Sequence, residues 1–367
     1  MYENWLHPID LSHFEDLDLK AEDFGQSIQF FRPDQADLQS VQLALVGLDQ
    51  ETADAVRRQL YQLSFPFENL QLMDFGNARR KQVGFLVPVI RELMDSRIVP
   101  ILIGSHATMI QAQYRAFKSI KESISQVIVD EKVPFAAEGS ATERHYFHEI
   151  VHQKRSRLFH LGLIGCQSHF INNSTYNWVH QQQYDMMRLG KAKADLSELE
   201  PLIRDADLLS FHISALKQAE APGQEDGSPS GFFTEEACQI SRYAGMSDKL
   251  RAFGIYGFKP EKDRDEQTAR SLAQMIWYFA EGFYSRKNDF PVSTDGLVEY
   301  IVDFKGLDYQ LTFWKSNKSG RWWMQIPVKT NKKLQRHRLI PCSYNDYKKA
   351  SQDELPERLL RALQRFD

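Results

Sequence analysis

From about residue 41 onward, short apolar or β-branched runs alternate with amphipathic stretches of helical length, and that alternation restricts the chain to a mostly parallel sheet covered by helices on both faces. The pattern predicts strands over 41–47, 98–104, 126–130, 158–165, 207–211 and 250–256. Several of them end at Gly, Asp or Ser, as strand-to-helix turns commonly do. Helices are predicted near 51–63, 82–95, 107–120, 194–204, 234–245 and 266–284. The last presents one apolar face through Leu272, Met275, Ile276, Phe279 and Phe283. Residues 218–231 are too rich in Pro and Gly to continue a helix or a central strand. They read as a long loop after a strand, where α/β proteins place binding elements.

The character changes after Pro291. Residues 297–304, 308–314 and 321–328 read as antiparallel strands with a turn at 317–320, closed by a helix near 353–366. The expected organisation is an N-terminal extension (1–40), an α/β domain (41–291) and a small β-rich extension (292–367). With 367 residues and 42% hydrophobic content the chain can build a substantial core. It contains no apolar run long enough to span a bilayer, and its first residues lack the basic start and apolar stretch of a secretory signal. The expected location is therefore cytoplasmic, with no membrane partner. Cys166, Cys238 and Cys342 are odd in number and far apart, which argues against a disulfide framework or a cysteine metal knuckle and for reduced core residues. A formal charge of −4 implies no polyanionic partner for the whole chain.

Three segments lie in order at predicted strand ends: Gly104-Ser-His106, Asp130-Glu-Lys-Val-Pro134 and Ser210-Phe-His-Ile-Ser214. With 163–167, 215–223, 231–240 and 267–270 around them, the chain resembles the ureohydrolase family of arginase, agmatinase and formimidoylglutamase, and formimidoylglutamase-like members most. The likeness spans roughly residues 40–290. It implies a three-layer arginase-like α/β fold, hydrolysis of C–N bonds in linear amidines, two metal ions and homo-oligomers. In that family the motifs read Gly-Gly-Asp-His, Asp-x-His-x-Asp and Ser-x-Asp-x-Asp.

The departures bear most on function. Of the six ligand positions the resemblance implies, only His106 and Asp130 keep the family's residue; the rest carry Lys132, Pro134, His212 and Ser214. Oxygen-preferring ions are held chiefly by carboxylates. An ammonium among them would oppose two dications by several kcal/mol. The expectation is that binuclear catalysis is lost, because the bridging hydroxide needs that concentrated positive charge. Arginase-like and agmatinase-like members pair the substrate's cation with a glutamate three residues before a proline on the last core strand, and the resemblance places Gly257 of Gly257-Phe-Lys-Pro260 there; formimidoylglutamases need not read that cation.

Several of these residues admit a second reading. His106, Asp130 and His212 could hold a single zinc, iron or manganese ion; the preferred alternative is no metal, with Lys132 paired to Asp130 in its place. Glu131, Glu138 and Glu143 could act as a base, but such residues are more often a solvated loop. His145, His148 and His152 could share one helix face, read here as an exposed polar helix rather than a metal site. Residues 315–349 hold ten Lys or Arg (315, 318, 321, 329, 332, 333, 336, 338, 348 and 349) against Asp346, beside Trp314, Trp322 and Trp323. A nucleic-acid or acidic-partner surface competes there with the preferred reading, in which the aromatics pack the β module onto the core. The leading functional expectation is a ureohydrolase-family pseudoenzyme that binds a ligand or partner, and the runner-up is an active single-metal amidine hydrolase.

Overall fold

A computed structural model describes residues 2–33, 38–120, 123–137, 144–154, 156–291, 294–304, 310–326 and 339–366. The strands of the main sheet are β1 (Leu6–His7), β2 (Gln29–Phe30), β3 (Leu43–Gly47), β4 (Leu72–Ala78), β5 (Val99–Gly104), β6 (Ile124–Val129), β7 (Leu158–Ile164), β8 (Asp185–Met187), β9 (Leu208–His212) and β10 (Ala252–Tyr256). Across the sheet they run β1-β4-β3-β5-β10-β9-β6-β7-β8, with β2 beside β4. Among the described residues of this sheet, only β1 pairs antiparallel.

Every residue of β3, β5, β6 and β10 is buried, because both faces of the sheet are covered. Successive side chains feed opposite cores. Leu43, Leu45, Ile101, Ile103 and Phe253 pack under helices Gln50–Leu60, Thr234–Met246 and Gln267–Tyr284. Ala44, Val46, Leu102 and Ile128 pack under Val83–Asp95 and Ile110–Lys118. This is the three-layer arrangement expected from the sequence.

Four strand segments, β1, β2, β4 and β8, escape the sequence pattern. β1 and β2 are two residues each and attach the N-terminal segment to β4. β4 itself carries Asp74, Gly76 and Asn77, which read as turn residues, yet Asp74 is fully buried. Arg57 supplies the reason: its Nε and Nη2 donate to the Asp74 carboxylate at 2.7 and 2.9 Å, and Tyr61 Oη adds a third bond at 2.9 Å. A buried carboxylate is tolerated only with such partners. The helix Asn173–Gln181 was also not foreseen.

The C-terminal module is a separate antiparallel sheet, β11 (Leu297–Val302), β12 (Leu311–Ser316), β13 (Trp322–Gln325) and β14 (Leu339–Cys342), in that order. Helices Tyr344–Ser351 and Glu357–Phe366 follow it. Trp323 is fully buried with the Arg204 guanidinium 4.4 Å above its ring, and Arg204 Nη2 donates to Trp322 O and Cys342 O at 3.0 and 3.2 Å. The module is thus seated on the α/β domain through an aromatic residue. Of the basic cluster, Lys329, Lys332, Lys333, Arg336 and Arg338 lie outside the described residues. Among the described residues no helix is long and apolar enough to cross a membrane.

Candidate functional site

β6 and β9 are neighbours, with Val129 opposite Phe211, so the residues that follow, Asp130 and His212, meet at the carboxyl edge of the sheet. Asp130 is 4% exposed. Its Oδ2 accepts from Tyr146 Oη at 2.6 Å, and its Oδ1 accepts from Ser214 Oγ at 2.7 Å and from the Lys132 backbone N–H at 3.2 Å. With the Ser214 hydroxyl hydrogen committed to the carboxylate, its oxygen accepts from His212 Nδ1 at 2.7 Å. The 3.3 Å approach of the Ser214 backbone N–H to the same nitrogen belongs to the other tautomer and is the weaker contact. The Tyr146 and His212 rings stack with centroids 6.0 Å apart. The result is a continuous chain, His212–Ser214–Asp130–Tyr146.

Burial, reinforced by the negative charge of Asp130, pushes the Tyr146 phenol well above its ordinary pKa, so it remains a proton donor to the carboxylate. The same two causes raise the thiol of buried Cys166. Tyr146 is the site residue that sequence reasoning missed. It sits among His145, His148 and His152, and nothing in its spacing announces a contact with Asp130.

The substituted positions have settled into the structure. The Lys132 ammonium turns to Glu131 Oε1 at 2.8 Å and lies 4.8 Å from the centroid of the Phe170 ring, so the expected pairing with Asp130 is corrected. Glu131 is buried rather than solvated, because its chain segment packs under Gln167, whose N–H donates to Glu131 O. Glu138 and Glu143 lie outside the described residues. Pro134 is buried and its carbonyl accepts from Phe147 N.

Gly257 has φ +92°, and a Cβ there would stand 2.6 Å from His212 Nε2. Glycine at this position is therefore what leaves room for the His212 ring.

His106 follows β5, which is separated from β6 by β10 and β9. Three inter-strand steps amount to roughly 14 Å between strand axes. Its side chain is exposed, and burial followed by the nearby Lys259 charge lowers its pKa. Asp130 and His212 are brought together; His106 stands with Lys259, Asp49, Lys81 and Glu225 instead. Among the described residues no three His, Cys, Asp or Glu side chains are grouped to hold a metal ion. The helix at His145, His148 and His152 is only His148–Val151, yet the His148 and His152 rings lie 4.3 Å apart across its single turn. His152 bonds to Ala136 O and packs on Trp178. The loop 218–231 is packed back on the domain through Gly223 N to Thr268 Oγ1 and Gln224 Nε2 to Leu216 O.

The arginase family model matches residues 49–281, well over half of the chain. The chain is a member of the arginase family. Within it, the formimidoylglutamase of Staphylococcus aureus (strain MRSA252) is 21% identical over 246 residues, covering 63% of this chain and 78% of the relative. Two solved structures share the fold. The formimidoylglutamase of Bacillus subtilis superposes with TM-score 0.62 at 15% identity, covering 75% of this chain and 95% of that one. A manganese-bound formiminoglutamase of Trypanosoma cruzi gives 0.59 at 16%, covering 69% and 96%. The module after residue 281 lies outside the family match.

The donor set of this arginase-family protein does not fit a pair of divalent ions. Such ions need several carboxylates. Here the positions implied by the resemblance offer one, and both of its oxygens already accept protein hydrogen bonds.

Proposed function

We propose that this arginase-family protein has left two-metal hydrolysis and binds a ligand or partner at the carboxyl edge of its sheet. One observation carries the reading: Tyr146 and Ser214 occupy the two oxygens of Asp130, the last carboxylate retained at the implied ligand positions. Oδ1 already accepts two hydrogen bonds and Oδ2 one, so this lone carboxylate has a single acceptor site to offer, where a pair of dications needs several carboxylates. The test is direct. The full chain, incubated with excess manganese, is assayed for bound metal and for release of formamide, ammonia or urea from formimidoylglutamate and guanidino compounds. Manganese-dependent turnover with two ions per chain would overturn the proposal.

The second reading is a hydrolase of linear amidine C–N bonds with one zinc, iron or manganese ion held by His106, Asp130 and His212. Its support is the similarity to formimidoylglutamases, one of them manganese-bound. When bound, such an ion would supply Lewis acidity and an activated water. One equivalent of metal, lost together with activity in His212→Ala, would establish it.

A further inference from the structure

A cavity of about 580 Å³ lies away from this site, between the β7–β8 side of the main sheet and the C-terminal module. That volume matches a small-molecule pocket. Part of its wall is apolar, through Phe159, Met186, Met187, Leu202, Phe290 and Ile340. The remainder is charged, and its acids are engaged. Asp185 faces His160 Nε2 at 2.9 Å and Arg361 Nη1 at 2.6 Å; Glu357 pairs with Arg361 and with Lys191; Asp205 pairs with Lys249 at 2.9 Å.

Donor capacity on the same wall is left over. Lys349 has no ion pair among the described residues. Arg358 Nη2 donates to Glu198 Oε2 at 3.3 Å, while its buried Nε stands 3.4 Å from Asp346 Oδ2 without a hydrogen bond among the described residues. His160 is 2% exposed and its Nδ1 is likewise without a partner there. Burial, with the Arg365 charge, lowers the His160 pKa, so the ring is neutral and this nitrogen is an acceptor once Nε2 faces Asp185. Buried polar atoms in native proteins are nearly always satisfied, and two such atoms, Arg358 Nε and His160 Nδ1, beside the exposed Lys349 ammonium point to a missing partner.

We propose that this cavity binds an organic anion with an apolar or aromatic body. Arg358 and Lys349 receive its acid group, and an N–H or O–H on its body donates to His160 Nδ1. The lining carries six carboxylates against six Lys or Arg, so the acid group is placed by the particular donors left over, Lys349 and Arg358 Nε, and not by a net positive wall. The binding site exists only because residues 339–366 fold against β7 and β8, so the module outside the family match completes it. The inference is independent of the metal question.

Fluorescence titration of the full chain with anilinonaphthalene sulfonate tests it, because this probe combines aromatic rings, an N–H and a sulfonate. Uncharged phenylnaphthylamine, the same molecule without the sulfonate, is the control. Saturable binding at one site per chain is expected, with the sulfonate preferred by about tenfold or more. Lys349→Met, at an exposed position that leaves the fold intact, and Arg358→Met should each weaken the sulfonate severalfold and leave the neutral probe unchanged. Ile340→Trp should remove both probes while the thermal unfolding midpoint stays near the parent's. Non-saturating binding, equal affinity for the two probes, or a Lys349→Met variant that binds the sulfonate as tightly as the parent would overturn the proposal.

Discussion

Tyr146→Phe isolates the bond on which the candidate site turns. The substitution keeps the ring, its stacking on His212 and its burial, and removes only the hydroxyl that donates to Asp130 at 2.6 Å. A short bond to a buried carboxylate is charge-assisted, and losing it costs roughly 1.5–3 kcal/mol. Asp130 would keep Ser214 Oγ and the Lys132 N–H, so the middle of that range, about 2 kcal/mol, is expected. Denaturant unfolding of the parent, Tyr146→Phe, Asp130→Asn and the double variant gives the coupling energy directly. A coupling of about 1 kcal/mol or more is expected. The pH dependence adds a second readout. The folded-state phenol is held above its ordinary pKa of about 10, so the bond contributes fully below that pH and is lost as pH rises through the raised value. Tyr146→Phe should lack that alkaline loss. A change below about 0.5 kcal/mol, or strict additivity with Asp130→Asn, would show that the carboxylate is satisfied by other means and would remove the argument built on it.

Two further outcomes follow from the geometry. Gly257→Ala should destabilise by about 1–2 kcal/mol from the left-handed backbone alone, with more from the Cβ placed 2.6 Å from His212 Nε2; adding His212→Ala should recover the steric part in the same unfolding measurement. His160 is buried and neutral, with its folded pKa below the ordinary value of about 6.5, so its stabilisation is complete above that pH and declines as pH falls below it; His160→Gln should flatten the stability profile on the acid side of about pH 6.5.

Much of the fold was legible along the chain because a strand covered on both faces must be continuously apolar. The runs that became β3, β5, β6, β9 and β10 announce themselves, and so does the apolar stripe of Gln267–Tyr284. The order of the three degenerate motifs, and the loss of carboxylates from them, needs no coordinates either: residue type alone sets formal charge. β4 stayed hidden because a strand holding Asp74 is affordable only once Arg57, seventeen residues earlier, has turned its guanidinium onto it. The fate of Asp130 was likewise beyond reach. Lys132 lies two positions away and carries the opposite charge, so proximity along the chain suggests a pair; the fold instead brings Tyr146 and Ser214 to the carboxylate and sends the ammonium to Glu131. Local patterning reports which segments exclude water. Which donor reaches a given buried acceptor depends on strand order and loop path, and those emerge only when distant segments pack together.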